Sequence, residues 1–487
     1  MNRRDFLLSV SAAASSAALP RIAWAESPKI SEARLELQPN VVGPWIDPEF
    51  LGLSFETAQL AHPEYFAASN HELVEFLRAL APRGILRIGG NTSEFAFWTP
   101  QPGAPQSGDP GSGAVGPDKG HKPAPPTQTT PLAIRNLREF LDATGWRAYY
   151  GLNLGQGTPE QAAAEAAYVF DTLGDRLILF QIGNEADLFG HNGLRARGYD
   201  YTAFAQDWKR FHDAIVARVP GAKFGGPDTA ITGMWVREFA QQFGPQVQML
   251  STHYYAEGPA SDPSMNIERL LAPANSRWDN GLPQIRAAME QSHLPFRLSE
   301  TNSCYGGGKE GVSDTFASAL WAADLMLELA SIGANGINFH GGGYGWYTPI
   351  AGAIPNGFTA RPEYYGLLLI AQLLGGRMML SKLHSNDALL KTYAAVAPDG
   401  MPAAVILNKN GGSSYRMTVQ SPLPATRIRV QRLLAPRLDD RTDATFAGAP
   451  VGANGAWQPE SVETLAVQNG SANCFVPAGS AALLFWE

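Results

Sequence analysis

Two glutamates, Glu185 and Glu300, each follow a short apolar run that has the brevity of a buried parallel strand. The first run, Leu177–Ile182, stops at Gly183-Asn184-Glu185. The second, Pro295–Glu300 (PFRLSE), is followed by a glycine-rich turn, Tyr305-Gly306-Gly307-Gly308. A carboxylate at the C-terminal end of a parallel strand stands where α/β folds keep their chemistry. Two of them on one face make the pair needed to cleave an acetal linkage. One is kept protonated to assist the leaving oxygen, and the other is ionised to attack carbon or activate water.

The elements that must position this pair alternate along the chain. Strand patterns are read at Phe50–Glu56, Ile85–Asn91, Tyr149–Leu154, the Glu185 run, Lys223–Asp228, Gln248–Tyr255, the Glu300 run and Gly336–His340, with helical patterns between them. Eight such units predict an α/β fold, a (β/α)8 TIM barrel, with Glu185 closing strand four and Glu300 strand seven, across the barrel mouth from one another. From about Leu389 short alternating runs separated by Gly, Pro and Asn predict a C-terminal antiparallel β-sandwich domain. The strand around Leu35, stopped by Pro39, is expected to complete it. The division read from the chain is an export signal over 1–25, an N-terminal strand over 26–45 joining the β-domain, a catalytic barrel over 46–375 and the β-sandwich over 376–487. A Pro/Gly/Ser-rich stretch near 99–131 offers little to bury and is read as a flexible loop.

Composition narrows the function classes. With 45% hydrophobic residues the chain is an ordinary globular protein, and its formal charge of −8 argues against a nucleic-acid partner. Residues 1–25 hold three arginines and one aspartate, so the remainder carries about −10. Arg3-Arg4, the small and apolar run Phe6–Leu19 and Ala23-Trp24-Ala25 are similar to a twin-arginine export signal, which predicts a secreted or periplasmic bacterial protein. No later stretch is apolar enough to predict a membrane span. The two cysteines, Cys304 and Cys474, are read as free thiols. His253 and His340 fall at strand ends but lack a third ligand at metal-like spacing, so they are read as satisfied buried histidines, with no metal and no cofactor expected. Nothing in the sequence sets an oligomeric state.

Three stretches carry a family resemblance: Arg87-Ile88-Gly89-Gly90-Asn91, Gln181-Ile182-Gly183-Asn184-Glu185, and Ser299-Glu300 through Tyr305-Gly306-Gly307. They resemble glycoside hydrolase family 79, the β-glucuronidases and heparanases, within the superfamily of retaining glycosidases on this barrel. The likeness covers most of residues 30–487 outside the loop near 99–131. The resemblance implies that Glu185 is the general acid/base and Glu300 the nucleophile, with Asn184 facing the sugar 2-hydroxyl. It also implies that Tyr305 with the Gly306 and Gly307 amides holds a uronic carboxylate. Converging N–H groups beside glycine can make such an anion site without a basic side chain. Glu56 and Asn91 would bind ring hydroxyls, Tyr255 or its neighbour Tyr254 would steady the nucleophile, and Tyr347 or Tyr344 would line the sugar pocket.

The expected activity is retaining, exo-acting hydrolysis of terminal β-linked glucuronic acid from a saccharide substrate. The alternatives are an endo-acting enzyme of heparanase type, which the acidic charge disfavours, and a non-catalytic carbohydrate-binding protein, whose signature would be loss of one carboxylate.

Overall fold

A computed structural model describes residues 29–100 and 126–487. The segment read as an export signal and most of the loop read near 99–131 lie outside the described residues.

Eight parallel strands close into a barrel in chain order: Leu51–Glu56, Ile85–Gly89, Arg147–Leu152, Leu177–Ile182, Phe224–Pro227, Met249–Glu257, Phe296–Cys304 and Gly336–Gly341. The eighth pairs back onto the first from Ile337↔Leu51 to Gly341↔Phe55. All six residues of Leu51–Glu56 are buried. Such strands face helices outside and the packed barrel interior within, which is why they read as unbroken apolar runs.

Helices enter with local stop and start signals. Pro159–Leu173 begins on a capping box in which Thr158 and Gln161 satisfy each other's backbone groups, and Pro131–Thr144 ends on left-handed Gly145. Helix Pro362–Ala371, which follows strand eight, is buried from Pro362 to Ile370. It therefore has no amphipathic stripe for a sequence reading to find.

Two expectations shift in detail. Strand seven does not end on Glu300 but runs to Cys304, with register shifts against both neighbours around Ser299. Pro39 does not end the N-terminal strand: Lys29–Trp45 continues past it, and its register against Arg377–His384 shifts between Gln38 and Val42. Proline is tolerated within a strand at such irregularities.

The C-terminal domain is one ten-stranded, almost wholly antiparallel sheet. Lys29–Trp45 sits inside it, antiparallel to Arg377–His384 and parallel to Ser413–Gln420. The sheet is curled, because side chains from strands far apart in its order, among them Met417, Cys474, Leu484 and Trp486, share one core. The two-residue period of its strands divides the faces. Ala404, Ile406, Ala482 and Leu484 fill the domain's own core. Their neighbours Ala403, Val405, Leu407, Ala481 and Leu483 pack into the core shared with the barrel.

The barrel floor is built on an ion. Arg297, fully buried, donates to Asn338 Oδ1 at 2.6 Å and to the carbonyls of Glu49, Phe50, Asn335 and Ile337. It thereby ties strand seven to strands eight and one.

Candidate active site

Strands four and seven deliver Glu185 and Glu300 to the same place. A carboxylate oxygen of each and a ring nitrogen of His253 all lie within 4.8 Å of one another. Glu185 has a left-handed backbone, φ 54° and ψ 44°, and so does Asp228 at the end of strand five, φ 55°. The Glu185 N–H donates to the Asp228 carbonyl at 2.8 Å. Left-handed geometry costs a non-glycine residue roughly 1–2 kcal/mol, and such strain concentrates where a side chain must be aimed.

Glu300 is surrounded by donors. Arg87 Nη1 donates to Oε2 at 2.6 Å and the Tyr255 hydroxyl to Oε1 at 2.7 Å. His340 Nδ1 and His253 Nδ1 stand 3.7 and 3.9 Å from Oε2. Burial alone would raise this carboxyl. The charges of His340, His253 and Arg87, with the tyrosine hydrogen bond, outweigh it and hold Glu300 far below the usual carboxylate range. Tyr255 is pushed the other way, by burial first and then by the Glu300 charge, so it remains a neutral donor. Its neighbour Tyr254 packs instead on Trp278.

Arg87 is the residue whose role the sequence hid. Fully buried in strand two, it donates from Nε to Gln181 at 2.8 Å, from Nη1 to Ser54 as well as Glu300, and from Nη2 to Asn184 Oδ1 at 2.8 Å. One planar fork thus fixes strands one, two, four and seven together. A lone arginine among Ile85, Leu86 and Ile88 was the visible signal.

His253 sits between Glu185 Oε1 at 3.0 Å and Asp228 Oδ1 at 3.7 Å. Burial would lower its pKa, but the Glu300 charge, the Asp228 carboxylate nearby and the hydrogen bond to Glu185 push it up to about 10. Glu185, His253 and Glu300 have the proximity of a metal-binding set that sequence spacing could not reveal. In this structure its atoms already have partners: Arg87 donates to Glu300 Oε2, Tyr255 donates to Glu300 Oε1, and His253 Nδ1 lies 3.0 Å from Glu185 Oε1.

The remaining candidates divide. Asn184 is buried, and its amide nitrogen donates to Asn91 Oδ1 at 3.3 Å. Asn91 is exposed at the end of strand two. Glu56 is buried, with Oε2 accepting from the Thr92 amide and hydroxyl at 2.8 and 2.6 Å and Oε1 3.5 Å from His340, so its oxygens already have partners. Tyr347 is buried, its ring centroid 6.1 Å from that of Tyr255, whereas Tyr344 is half exposed and accepts from Asn356. Tyr305 lies edge-on to Tyr255 at 6.4 Å and beneath the Arg277 guanidinium at 5.1 Å. After it Gly306, Gly307 and Gly308 are all left-handed, φ 85°, 91° and 82°. Three such residues in succession require glycine, and a left-handed turn aligns successive N–H groups.

Glu94 went unread. It is buried, and its two oxygens accept the amides of Asn184 and Gly155, joining the ends of strands four and three. Burial pushes its carboxyl up to about 7 against those hydrogen bonds.

Residues 392–483 match the family described as glycosyl hydrolase family 79 C-terminal beta domain. A β-glucuronidase of Neurospora crassa is 23% identical over 437 residues, covering 79% of this chain and 74% of that one. A heparanase of Gallus gallus is 23% identical over 393 residues, covering 70% and 72%. The crystal structure of a 4-O-α-L-rhamnosyl-β-D-glucuronidase from Fusarium oxysporum 12S superposes with a TM-score of 0.73 at 19% identity, covering 94% of this chain and 99% of that one.

Proposed function

Because the chain belongs to glycoside hydrolase family 79, and is therefore a glycosidase, we propose that it is a retaining exo-β-glucuronidase in which Glu300 is the nucleophile and Glu185 the general acid/base. The observation that carries this reading is the spacing of the pair, with oxygens of the two carboxylates within 4.8 Å. Retention needs carboxyl groups about 5–5.5 Å apart, whereas inversion leaves room for a water and needs about 6.5–9.5 Å. Glu300, held ionised by Arg87 and Tyr255, attacks the anomeric carbon. Glu185, with a side chain 12% exposed against 6% for Glu300, faces the leaving oxygen and gives it a proton, then takes one from the water that hydrolyses the glycosyl-enzyme.

Asn184, fixed by Arg87, presents its amide to the sugar 2-hydroxyl, and Asn91 and Tyr347 complete the pocket wall. The Tyr305-Gly306-Gly307 turn receives the uronic carboxylate. The β-glucuronidase and heparanase relatives support a glucuronic-acid-containing saccharide as substrate. The twin-arginine-like segment supports export from a bacterial cytoplasm. Among the described residues no helix is long and apolar enough to cross a membrane.

The test is hydrolysis of an aryl β-glucuronide and the matching β-glucoside by wild type, Glu300→Gln and Glu185→Gln. Glucuronide turnover is expected to fall by roughly a thousandfold or more in Glu300→Gln. Turnover surviving in that variant sinks the nucleophile assignment, and a glucoside preference sinks the uronic-acid reading. Internal fragments from a glucuronic-acid-containing oligosaccharide, in place of released monosaccharide, would replace exo with endo action.

A further inference from the structure

The segment that follows the proposed nucleophile is held from outside the barrel. Helix Phe316–Ser331 has no side-chain cap at its N-cap residue Thr315. Its first amides are satisfied by the β-domain instead: Phe316 N–H donates to the Asp440 carbonyl at 2.7 Å and Ala317 N–H to the Leu438 carbonyl at 2.9 Å. From the same β-domain loop Arg441 reaches Asp314 Oδ2 at 2.5 Å and Glu310 Oε1 at 3.2 Å. Asp314 is buried to 4% exposure, and its other oxygen accepts the Gly311 amide at 2.7 Å, so Arg441 is the cation that balances a buried carboxylate inside the loop.

The guanidinium also lies over the Trp346 ring, 5.2 Å from its centroid, and Arg361 lies 5.5 Å from the same centroid. Trp346 is tied to the glycine turn directly, its N–H donating to the Gly307 carbonyl at 2.6 Å. The next residue, Tyr347, faces Tyr255. A continuous set of contacts therefore runs from Arg441 through Trp346 to Gly307, and in parallel through Asp314 and Gly311 to the chain just after the turn.

We infer that Arg441, a β-domain residue that touches neither carboxylate of the proposed pair, is a positioning residue for the Tyr305–Gly307 turn and so sets selectivity for substrates bearing a uronic carboxylate. The inference rests on the reading of that turn as the uronate site. Fixed amides bind an anion well only while their backbone is held, and a loop freed by a fraction of an ångström loses affinity for the charged group before it loses chemistry.

The experiment compares kcat and KM for aryl β-glucuronide and aryl β-glucoside in wild type, Arg441→Ala and Arg441→Lys, with thermal unfolding alongside. Arg441→Ala is expected to raise KM for the glucuronide about five- to tenfold while kcat and the glucoside kcat/KM change less than about twofold. Arg441→Lys retains charge but cannot both span two carboxylates and stack, so an increase of about two- to threefold is expected, and it carries the same reading if the alanine variant does not fold. Unchanged glucuronide KM in a folded variant, or an equal loss on both substrates, overturns the inference. A wild type with no preference for the glucuronide sinks the uronate reading itself, and this inference falls with it.

Discussion

Glu300 accepts from a guanidinium and a phenol and stands near two imidazoles, drawn from strands two, six and eight. Removing one donor tests the arrangement without emptying it. Tyr255→Phe deletes a hydrogen bond to a charged group, about 1.5–3 kcal/mol, and should lower kcat roughly tenfold to a hundredfold with little change in KM, measured on the aryl glucuronide. His253 carries a second prediction. Its pKa, about 10 in the fold, exceeds the ordinary value near 6.5. Its charge therefore favours the folded state fully below about pH 6.5, and the contribution disappears as pH rises through 10. The groups facing it are Glu185, Asp228, Glu300 and Arg87. The unfolding temperature of wild type should fall between pH 7 and 10 more steeply than that of His253→Gln, and parallel slopes would refute this. Glu185 and Glu300 were legible in the sequence as charges at the ends of apolar strands, whereas Arg87 showed only as a lone charge within one, with its partners on other strands hidden. Glu94 and Asp228 were not, because each works through backbone amides, carbonyls or ring nitrogens brought in from other strands, and no local pattern marks such a partner.

At the scale of elements, the eight strands and most helices followed from apolar runs and caps, since burial on both faces leaves a plain signature. What failed to show was geometry set by neighbours. The register shift around Ser299 turns Glu300 inward while the strand continues to Cys304, and a bulge of this kind depends on the facing strand. Helix Pro362–Ala371 is buried on every side, its few polar groups included, because it packs against helix Phe316–Ser331 and the β-domain together. The barrel floor offers a sharp test of one element boundary. A Cβ at Gly336 would run into Arg297 Nη1 and the Phe50 carbonyl. Gly336→Ala should destabilise the protein by roughly 2–3 kcal/mol through overpacking, seen as a lowered midpoint in urea. An unaltered midpoint would show that the floor can yield.

At the scale of the whole molecule, the barrel and the β-sheet are joined by charge as well as by apolar packing. Asp324, on barrel helix Phe316–Ser331, accepts from Lys409 at 2.6 Å and from the Tyr393 hydroxyl at 2.6 Å, with Lys391 at 3.1 Å, all from the sheet. Lys409 is buried, so removing its partner leaves an uncompensated ion. Asp324→Ala is expected to cost about 3–5 kcal/mol, read by thermal or urea unfolding. A loss below about 1 kcal/mol would mean that the lysine escapes to solvent.

The place of Lys29–Trp45 inside the sheet bears on how the protein is made. One of its neighbours, Arg377–His384, is translated roughly 330 residues later, and such distant pairings form slowly because loop closure precedes any reward. On the ribosome this strand has to stay unpaired while the entire barrel is synthesised, with apolar Leu35 and Leu37 exposed to whatever edge it meets. The site can thus receive its outer brace, Arg441, only after the chain is nearly complete, so a nascent or prematurely terminated product would hold both carboxylates without the residue that braces the Tyr305–Gly307 turn.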